Sequence, residues 1–335
     1  MKILTVNDIV HLIQLVGLNH FFDIVIKALH SDFKRWSDFQ LSPRHAVHFK
    51  DGVIELMPCA DNDFYTFKYV NGHPQNPQFD KLCVVAIGQI SDCRTGYPLL
   101  LSEMTLLTAV RTAAVGALVA QYLSRAKVES LAMIGTGTQA EFQVIAFHHV
   151  FPFQTLYYYD IDPFAMQKFS YNLASMPFQI IPCRSIIEAV VNSDIVITAT
   201  AAKARQKLFS IEDIQPGTHI HAMGGDCPGK TEFSAELVRQ CKVVVEYIPQ
   251  SIEEGELQQC MDYAIHAEVW ELVCGIKPGR VDNQEITLFD SVGFALEDYS
   301  ILRVVDQLAR QYQLGTEFHM LPELADPKNL FVLLN

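Results

Sequence analysis

The hydrophobic rhythm of the chain changes several times along its length. The first stretch, "MKILTVNDIVHLIQLVGL", is apolar at helical spacing but interrupted by Asp8 and His11, which predicts an amphipathic helix rather than a signal peptide. From about His45 to Leu101 apolar and polar positions alternate, in "HAVHFKDGVIELMP", "YTFKYVNGHP", "LCVVAIGQI" and "YPLLLSEM". That is the period of a strand buried on one face, and Asp51-Gly52 and Thr95-Gly96 fall between runs where hairpin turns belong, so an antiparallel sheet is expected. "TLLTAVRTAAVGALVAQYLSR", Thr105 to Arg125, has no proline and reads as one helix. Short apolar runs then alternate with helical segments: "SLAMIG", "TLYYYD", "DIVITAT", "HIHAMG" and "KVVVEY". This predicts a parallel sheet covered on both faces. After Phe289 a last helix, "GFALEDYSILRVVDQLARQYQ", leads towards the C-terminus.

Composition narrows the function classes. With 335 residues, 50% of them hydrophobic and 19% charged, the chain has material for a large core and two domains. The net charge of -13 argues against non-specific nucleic-acid binding. No uncharged apolar run reaches bilayer length, so no membrane partner is expected. Eight cysteines are scattered from Cys59 to Cys274 without a C-x-x-C or a zinc-type Cys/His spacing. Reduced, buried thiols, no metal site and a cytoplasmic location are the expectation. His148 and His149 are adjacent, cannot share a helical face, and are read as helix residues rather than ligands.

Candidate chemistry appears first in "LAMIGTGTQAEFQVIAF", which places Gly135 and Gly137 between a strand and a helix in a G-x-G-x-x-A pattern ending at Ala140. The first glycine permits the turn, the second lets a pyrophosphate approach the backbone, and the small third residue allows close helix–strand packing. Phosphates then lie at a helix N-terminus. Asp160 closes the next strand, where a carboxylate binds ribose hydroxyls and repels a 2'-phosphate, favouring NAD over NADP. The plainer alternative is a strand-turn-helix whose glycines serve packing alone.

A second loop, "HAMGGDCPGKTEF", is denser in turn and charge chemistry than a surface turn requires. Asp226 lies there, after a parallel strand, where open α/β sheets hold ligands, and is a candidate general acid and base. Its other reading is a helix N-cap for "TEFSAELVRQ", a role that suits Thr231 better, with Ser234 and Glu236 inside the first turns. Arg44, Lys68 and Arg111 are cations that would suit a carboxylate; Arg44 and Arg111 equally suit an ordinary surface, and the face that Lys68 uses stays open. Glu55 interrupts an apolar run and would need a partner if buried, or else faces solvent.

Taken with "DFKRW", "GVIELMP", "FKYVNGHP", "RTAA", "VEYIPQ" and "DSVGFALEDY", the loop "GGDCPGKTE" resembles the ornithine cyclodeaminase/mu-crystallin family from about Asp32 to Tyr299. The resemblance implies an α/β fold: a Rossmann-type NAD-binding domain over 116–299, and an α+β substrate-binding and dimerisation domain from 1–115 with 300–335. It implies conversion of L-ornithine to L-proline and ammonia, with hydride passed to NAD and returned, in a homodimer. It assigns Asp226 to catalysis and Arg44, Glu55, Lys68, Arg111, Lys230 and Val292 to the substrate. Cofactor contacts fall to Cys83, Arg111, Gly135, Gly137, Thr138, Gln139, Asp160, Thr200, Met223, Gly224, Gly225, Asp226, Lys230 and Ser291. Gly224 and Gly225 are expected to let the backbone approach the nicotinamide. Cys83 stands where the family commonly has threonine, and His221 where asparagine is usual; His221 is expected to be a neutral spacer. The rival readings are a ketimine reductase or amino-acid dehydrogenase on the same scaffold, and a non-catalytic NAD-binding protein of the crystallin type.

Overall fold

The computed structural model describes residues 1–202, 204–260, 262 and 265–334. Two eight-stranded sheets organise the chain. The first follows the alternating segment. Its strands are β1 (Lys2–Leu4), β2 (Gln40–Leu41), β3 (His45–Phe49), β4 (Gly52–Ala60), β5 (Phe64–Gly72), β6 (Ala86–Asp92) and β7 (Pro98–Glu103), joined from the far end by β16 (Thr316–Glu317). The order is β16-β1-β7-β6-β5-β4-β2, with β3 also on β4; all pairs are antiparallel except β1 with β7. Alternation sorts the faces: Met57, Cys59, Thr66, Lys68, Val70 and Ile90 are buried inward, while Val47, Leu56, Tyr65 and Ile87 are exposed outward.

The expected N-terminal helix is in fact β1 followed by α1 (Val6–Val16), because Thr5 and Asp8 form a capping box that starts the helix there. Gly17, at φ +84°, ends α1, and α2 (Leu18–Lys34) leaves at 100° to it. The long apolar helix α3 (Thr105–Leu123) is long and apolar enough to cross a membrane, yet it lies in the core against α2, the Rossmann-side helix α4 (Ala140–Val150) and the last helix α10 (Ala295–Gln311).

The second sheet is entirely parallel, in the order β10-β9-β8-β11-β12-β15-β13-β14. Its strands are β8 (Ser130–Ile134), β9 (Thr155–Tyr159), β10 (Gln179–Pro182), β11 (Ile195–Thr198), β12 (His219–Ala222), β13 (Lys242–Val245), β14 (Ala267–Glu268) and β15 (Thr287–Asp290). The edge strands β10 and β14 escape the sequence pattern because they are short and lie at the margins. Strand order reverses between β8 and β11, so the Gly135–Gly137 turn sits at the switch point where such sheets bind ligands. The boundaries expected at 115/116 and 299/300 fall inside α3 and α10. Both joints between the sheets are therefore continuous helices whose hydrogen bonds run through the boundary. Cys59, Cys183 and Cys260 are buried thiols, whereas Cys93 and Cys274 are exposed.

Candidate active site

The two sheets face each other across one cleft of about 660 Å³. Fifteen of the residues singled out in the sequence line it: Arg44, Glu55, Lys68, Cys83, Arg111, Gly137, Thr138, Gln139, Thr200, Met223, Gly224, Asp226, Lys230, Ser291 and Val292. Gly135, Gly225 and Asp160 do not line it.

One wall is built by β3–β5, α3 and the start of α10, and it carries the cations. Lys68 points inward from β5, at 1% exposure, and its Nζ lies 2.9 Å from Asp298. Burial, with Arg111 nearby, pushes the Lys68 pKa down to about 8. Arg111 is also buried; its Nε lies 3.0 Å from Asp298 and its Nη1 pairs with Glu297. Neither cation is a surface residue. Arg44 is not one either. Its Nη1 meets Glu55 at 3.1 Å, its Nε meets Glu254 at 3.2 Å, and its Nη2 donates to the carbonyls of Val292 and Gly293. The partner that Glu55 requires is thus supplied by the chain itself. Burial pushes Glu254 up to about 7 despite Arg44.

The opposite wall is formed by loops after the parallel strands. Asp226 is 55% exposed at its side chain, open to the cleft, and its Oδ1 accepts from Lys230 Nζ at 2.8 Å. Burial opposes the charge on Lys230, but Asp226, with Glu232 and Cys227, more than offsets it and raises the lysine pKa. The helix after this loop, α7 (Ala235–Arg239), is capped by Ser234, whose hydroxyl accepts from Leu237 N, not by Thr231. The loop turns for longer than the sequence pattern suggests. Gly224 and Gly225 each stand against a buried carboxylate. A Cβ on Gly224 would lie 2.1 Å from Glu232 Oε1, and one on Gly225 would lie 3.0 Å from Glu256 Oε1. Their smallness makes room for buried carboxylates, and Gly224 also lines the cleft.

The nucleotide turn keeps its expected shape. Gly135 is at φ +90°, and a Cβ there would meet the Ala199 carbonyl at 2.6 Å. A Cβ on Gly137 would meet nothing, so open space lies above this peptide at the start of α4, as a pyrophosphate requires. Asp160 accepts from Thr136 N at 2.6 Å and Asp162 N at 2.9 Å, which braces the turn as well as presenting a carboxylate beside it. From α5 (Pro163–Asn172), Lys168 Nζ donates to the carbonyls of Thr136 and Gly137 at 2.9 and 3.1 Å. With its glycine turn, open space and acid, this wall fits a dinucleotide.

Side chains expected at the cofactor have partners of their own. Ser291 Oγ donates to Glu246 at 2.7 Å, Thr200 Oγ1 donates to Glu232 at 2.7 Å, and Cys83 Sγ lies 3.8 Å from the Pro74 carbonyl. His221 is fully buried, stacks on Phe289 at 5.4 Å, and burial pushes its pKa down to about 3, so it is a neutral ring packed under Gly116. Sequence reasoning missed Glu232, Glu246, Glu254, Glu256, Asp290, Glu297 and Asp298. Glu246 and Asp290 stand at the ends of β13 and β15, a signal open to the sequence, but the partners of all seven are peptide groups, hydroxyls and cations remote in sequence.

A family model described as the ornithine cyclodeaminase/mu-crystallin family matches residues 6–312. The chain is 44% identical over 331 residues to an ornithine cyclodeaminase of Agrobacterium tumefaciens (strain Ach5), covering 99% of this chain and 93% of that one. Among solved structures, a lysine cyclodeaminase studied for recognition of L-lysine, L-ornithine and L-2,4-diaminobutyric acid superposes with a TM-score of 0.90 at 27% identity, covering 98% of this chain and 99% of that one. The Delta(1)-pyrroline-2-carboxylate reductase of Thermococcus litoralis, in complex with NADH and L-proline, superposes with a TM-score of 0.86 at 30% identity, covering 95% and 100%.

Proposed function

The chain belongs to the ornithine cyclodeaminase/mu-crystallin family, and from that premise we propose that it converts L-ornithine to L-proline and ammonia with NAD as its cofactor. The observation that carries this reading is the charge layout of the cleft: buried Lys68 and Arg111 on one wall, and the open carboxylate of Asp226 on the other.

Lys68 and Arg111 receive the substrate carboxylate, with Arg111 presenting a planar fork. Glu55, fixed by Arg44, faces the cleft as the carboxylate that binds the distal ammonium, accepts its proton and holds the freed amine near the α carbon that it attacks in ring closure. Bound NAD supplies the hydride acceptor for the α carbon and, within the same turnover, the donor for the cyclic imine. Gly137 and the neighbouring turn hold its phosphates, Asp160 its ribose, and Thr138, Gln139, Thr200, Met223 and Ser291 line its path. Asp226 takes a proton from the α-ammonium before hydride leaves, and gives a proton to the departing ammonia. Lys230, at 2.8 Å, keeps that carboxylate oriented.

A second reading, net reduction of a cyclic imine or oxidation of an amino acid, is favoured by the reductase that shares this fold. A homodimer is proposed on the outward face of the first sheet. There Leu56, Tyr69 and Ile87 stand in cross-strand register, with Val47 and Tyr65 exposed nearby, and a second copy would cover them. A cytoplasmic location is proposed from the thiol state of Cys59, Cys83, Cys93, Cys183, Cys260 and Cys274.

Product analysis with L-ornithine and a trace of NAD+ tests the reaction. Proline and ammonia in equal amounts, far exceeding the NAD+ added and without NADH build-up, are expected. NADH growing with product selects the dehydrogenase reading; no product from ornithine, from lysine, or from a cyclic imine supplied with NADH overturns both.

A further inference from the structure

Glu232 is 1% exposed and does not line the cleft, yet its carboxylate gathers four donors from two strand ends. Oε1 accepts from Thr200 N at 2.8 Å and Thr200 Oγ1 at 2.7 Å. Oε2 accepts from Thr198 Oγ1 at 2.6 Å and Gly224 N at 3.0 Å. Thr198 ends β11 and Thr200 follows it; Gly224 follows β12, the paired neighbour of β11. Thr200 belongs to the cofactor wall, and Gly224 is two residues before Asp226. Donors on both oxygens demand a group that only accepts, which a carboxylate is and an amide is not.

Glu232 is itself held in place. Glu256 accepts from the backbone N–H of Glu232 at 2.7 Å and of Phe233 at 3.0 Å. Asp290, at the end of β15, accepts from the N–H groups of Glu256 at 2.9 Å and Leu257 at 3.1 Å. Each acid fixes the backbone that carries the next, and the last one grips the two loops of the active site. The absence of a Cβ on Gly224 has the same cause, since that space is filled by Glu232.

We propose that Glu232 is a positioning residue that locks Thr200 and the Gly224–Asp226 segment together, so that the cofactor wall and the catalytic carboxylate are set as one unit. This rests on the role given to Asp226 above. Because small displacements of a reacting group cost large factors in rate, loosening this grip acts on turnover and on NAD affinity together. It leaves ornithine affinity, set by Lys68 and Arg111 on the opposite wall, nearly alone.

Glu232→Gln directs an NH2 group at donors. Expected are a roughly 10²-fold fall in kcat, a roughly tenfold weaker NAD Kd by calorimetry, and an ornithine KM within about threefold of wild type. Wild-type kcat and NAD Kd would overturn the proposal, as would an ornithine KM that rises as far as kcat falls. If this variant does not fold, Thr198→Val decides, since it removes one bond to Glu232 from a fully buried site outside the cleft. Expected there are a roughly threefold to tenfold loss in kcat and weaker NAD binding with Tm nearly unchanged; wild-type values overturn the proposal. Should wild type itself make no proline, the functional reading fails, and calorimetric NAD affinity still decides the role of Glu232.

Discussion

The two walls of the cleft hold their charges by different means. On the cation wall, side chain meets side chain: Lys68 with Asp298, Arg111 with Glu297 and Asp298, Arg44 with Glu55 and Glu254. On the opposite wall, buried carboxylates hold peptide N–H groups: Glu246 at Val292 and Gly293, Glu256 at Glu232 and Phe233, Asp290 at Glu256 and Leu257. Burial pushes the carboxyl pKa of Glu246, Glu256 and Asp290 up. The first arrangement leaves the cations able to take an added carboxylate without any change of backbone path. The second makes the path of each loop depend on an acid. One wall is built to receive charge, the other to hold shape.

Four substitutions break or sharpen this contrast. The largest effect is expected from Asp226→Asn, which keeps the loop but removes the acid–base group. Turnover to proline should fall about 10²- to 10⁴-fold, while calorimetry still shows NAD binding; wild-type turnover would take the proton-transfer role from Asp226. Lys68→Met should raise the ornithine KM about 10- to 100-fold, with the fold intact because Arg111 still pairs with Asp298. An unchanged KM in steady-state assays would move the substrate carboxylate to other cations. Asp160→Ala removes both the proposed ribose partner and the brace on Thr136. NAD affinity should drop about tenfold and the preference over NADP should narrow; an unaltered preference would place ribose discrimination elsewhere.

The smallest effect concerns pH. Glu254 keeps its proton up to about pH 7 in the folded chain, against an ordinary value of 4.5 in the unfolded one. Between those values the folded state binds more protons, so this group's contribution to stability is lost as pH rises through that window. Glu254→Gln has no such dependence. Relative to wild type, its stability by urea denaturation should therefore improve by roughly 1–3 kcal/mol from pH 4.5 to 7. A difference that stays flat with pH would mean that Glu254 is ionised throughout, held so by Arg44.

Much of this molecule is legible in its sequence. Period-two alternation gives β3–β7 and their hairpins, because a strand with one buried face writes its geometry into every second residue. The glycine turn after β8 is legible because the backbone conformation of Gly135 and the open space over Gly137 constrain single positions. Asp226 and the three cations could be named from residue type and resemblance. Their partners could not. Lys68 and Asp298 are 230 positions apart, and nothing local in "FKYV" or "ALEDY" says that one answers the other. The same holds for Glu55, whose partner Arg44 reaches it across a hairpin while bonding to carbonyls at 292 and 293.

The sequence by itself therefore determined the kind of the central strands and helices, the dinucleotide turn and the family to which the chain belongs. These depend on local backbone geometry and on the periodicity of burial. Only the tertiary structure decided that Gly224 and Gly225 clear space for carboxylates, that Ser234 starts α7, and that a file of acids from Asp290 through Glu256 to Glu232 ties the loops together. A buried charge is satisfied by whatever donors the fold brings within about 3 Å, and that proximity comes from strand order and packing, which no run of neighbouring residues encodes.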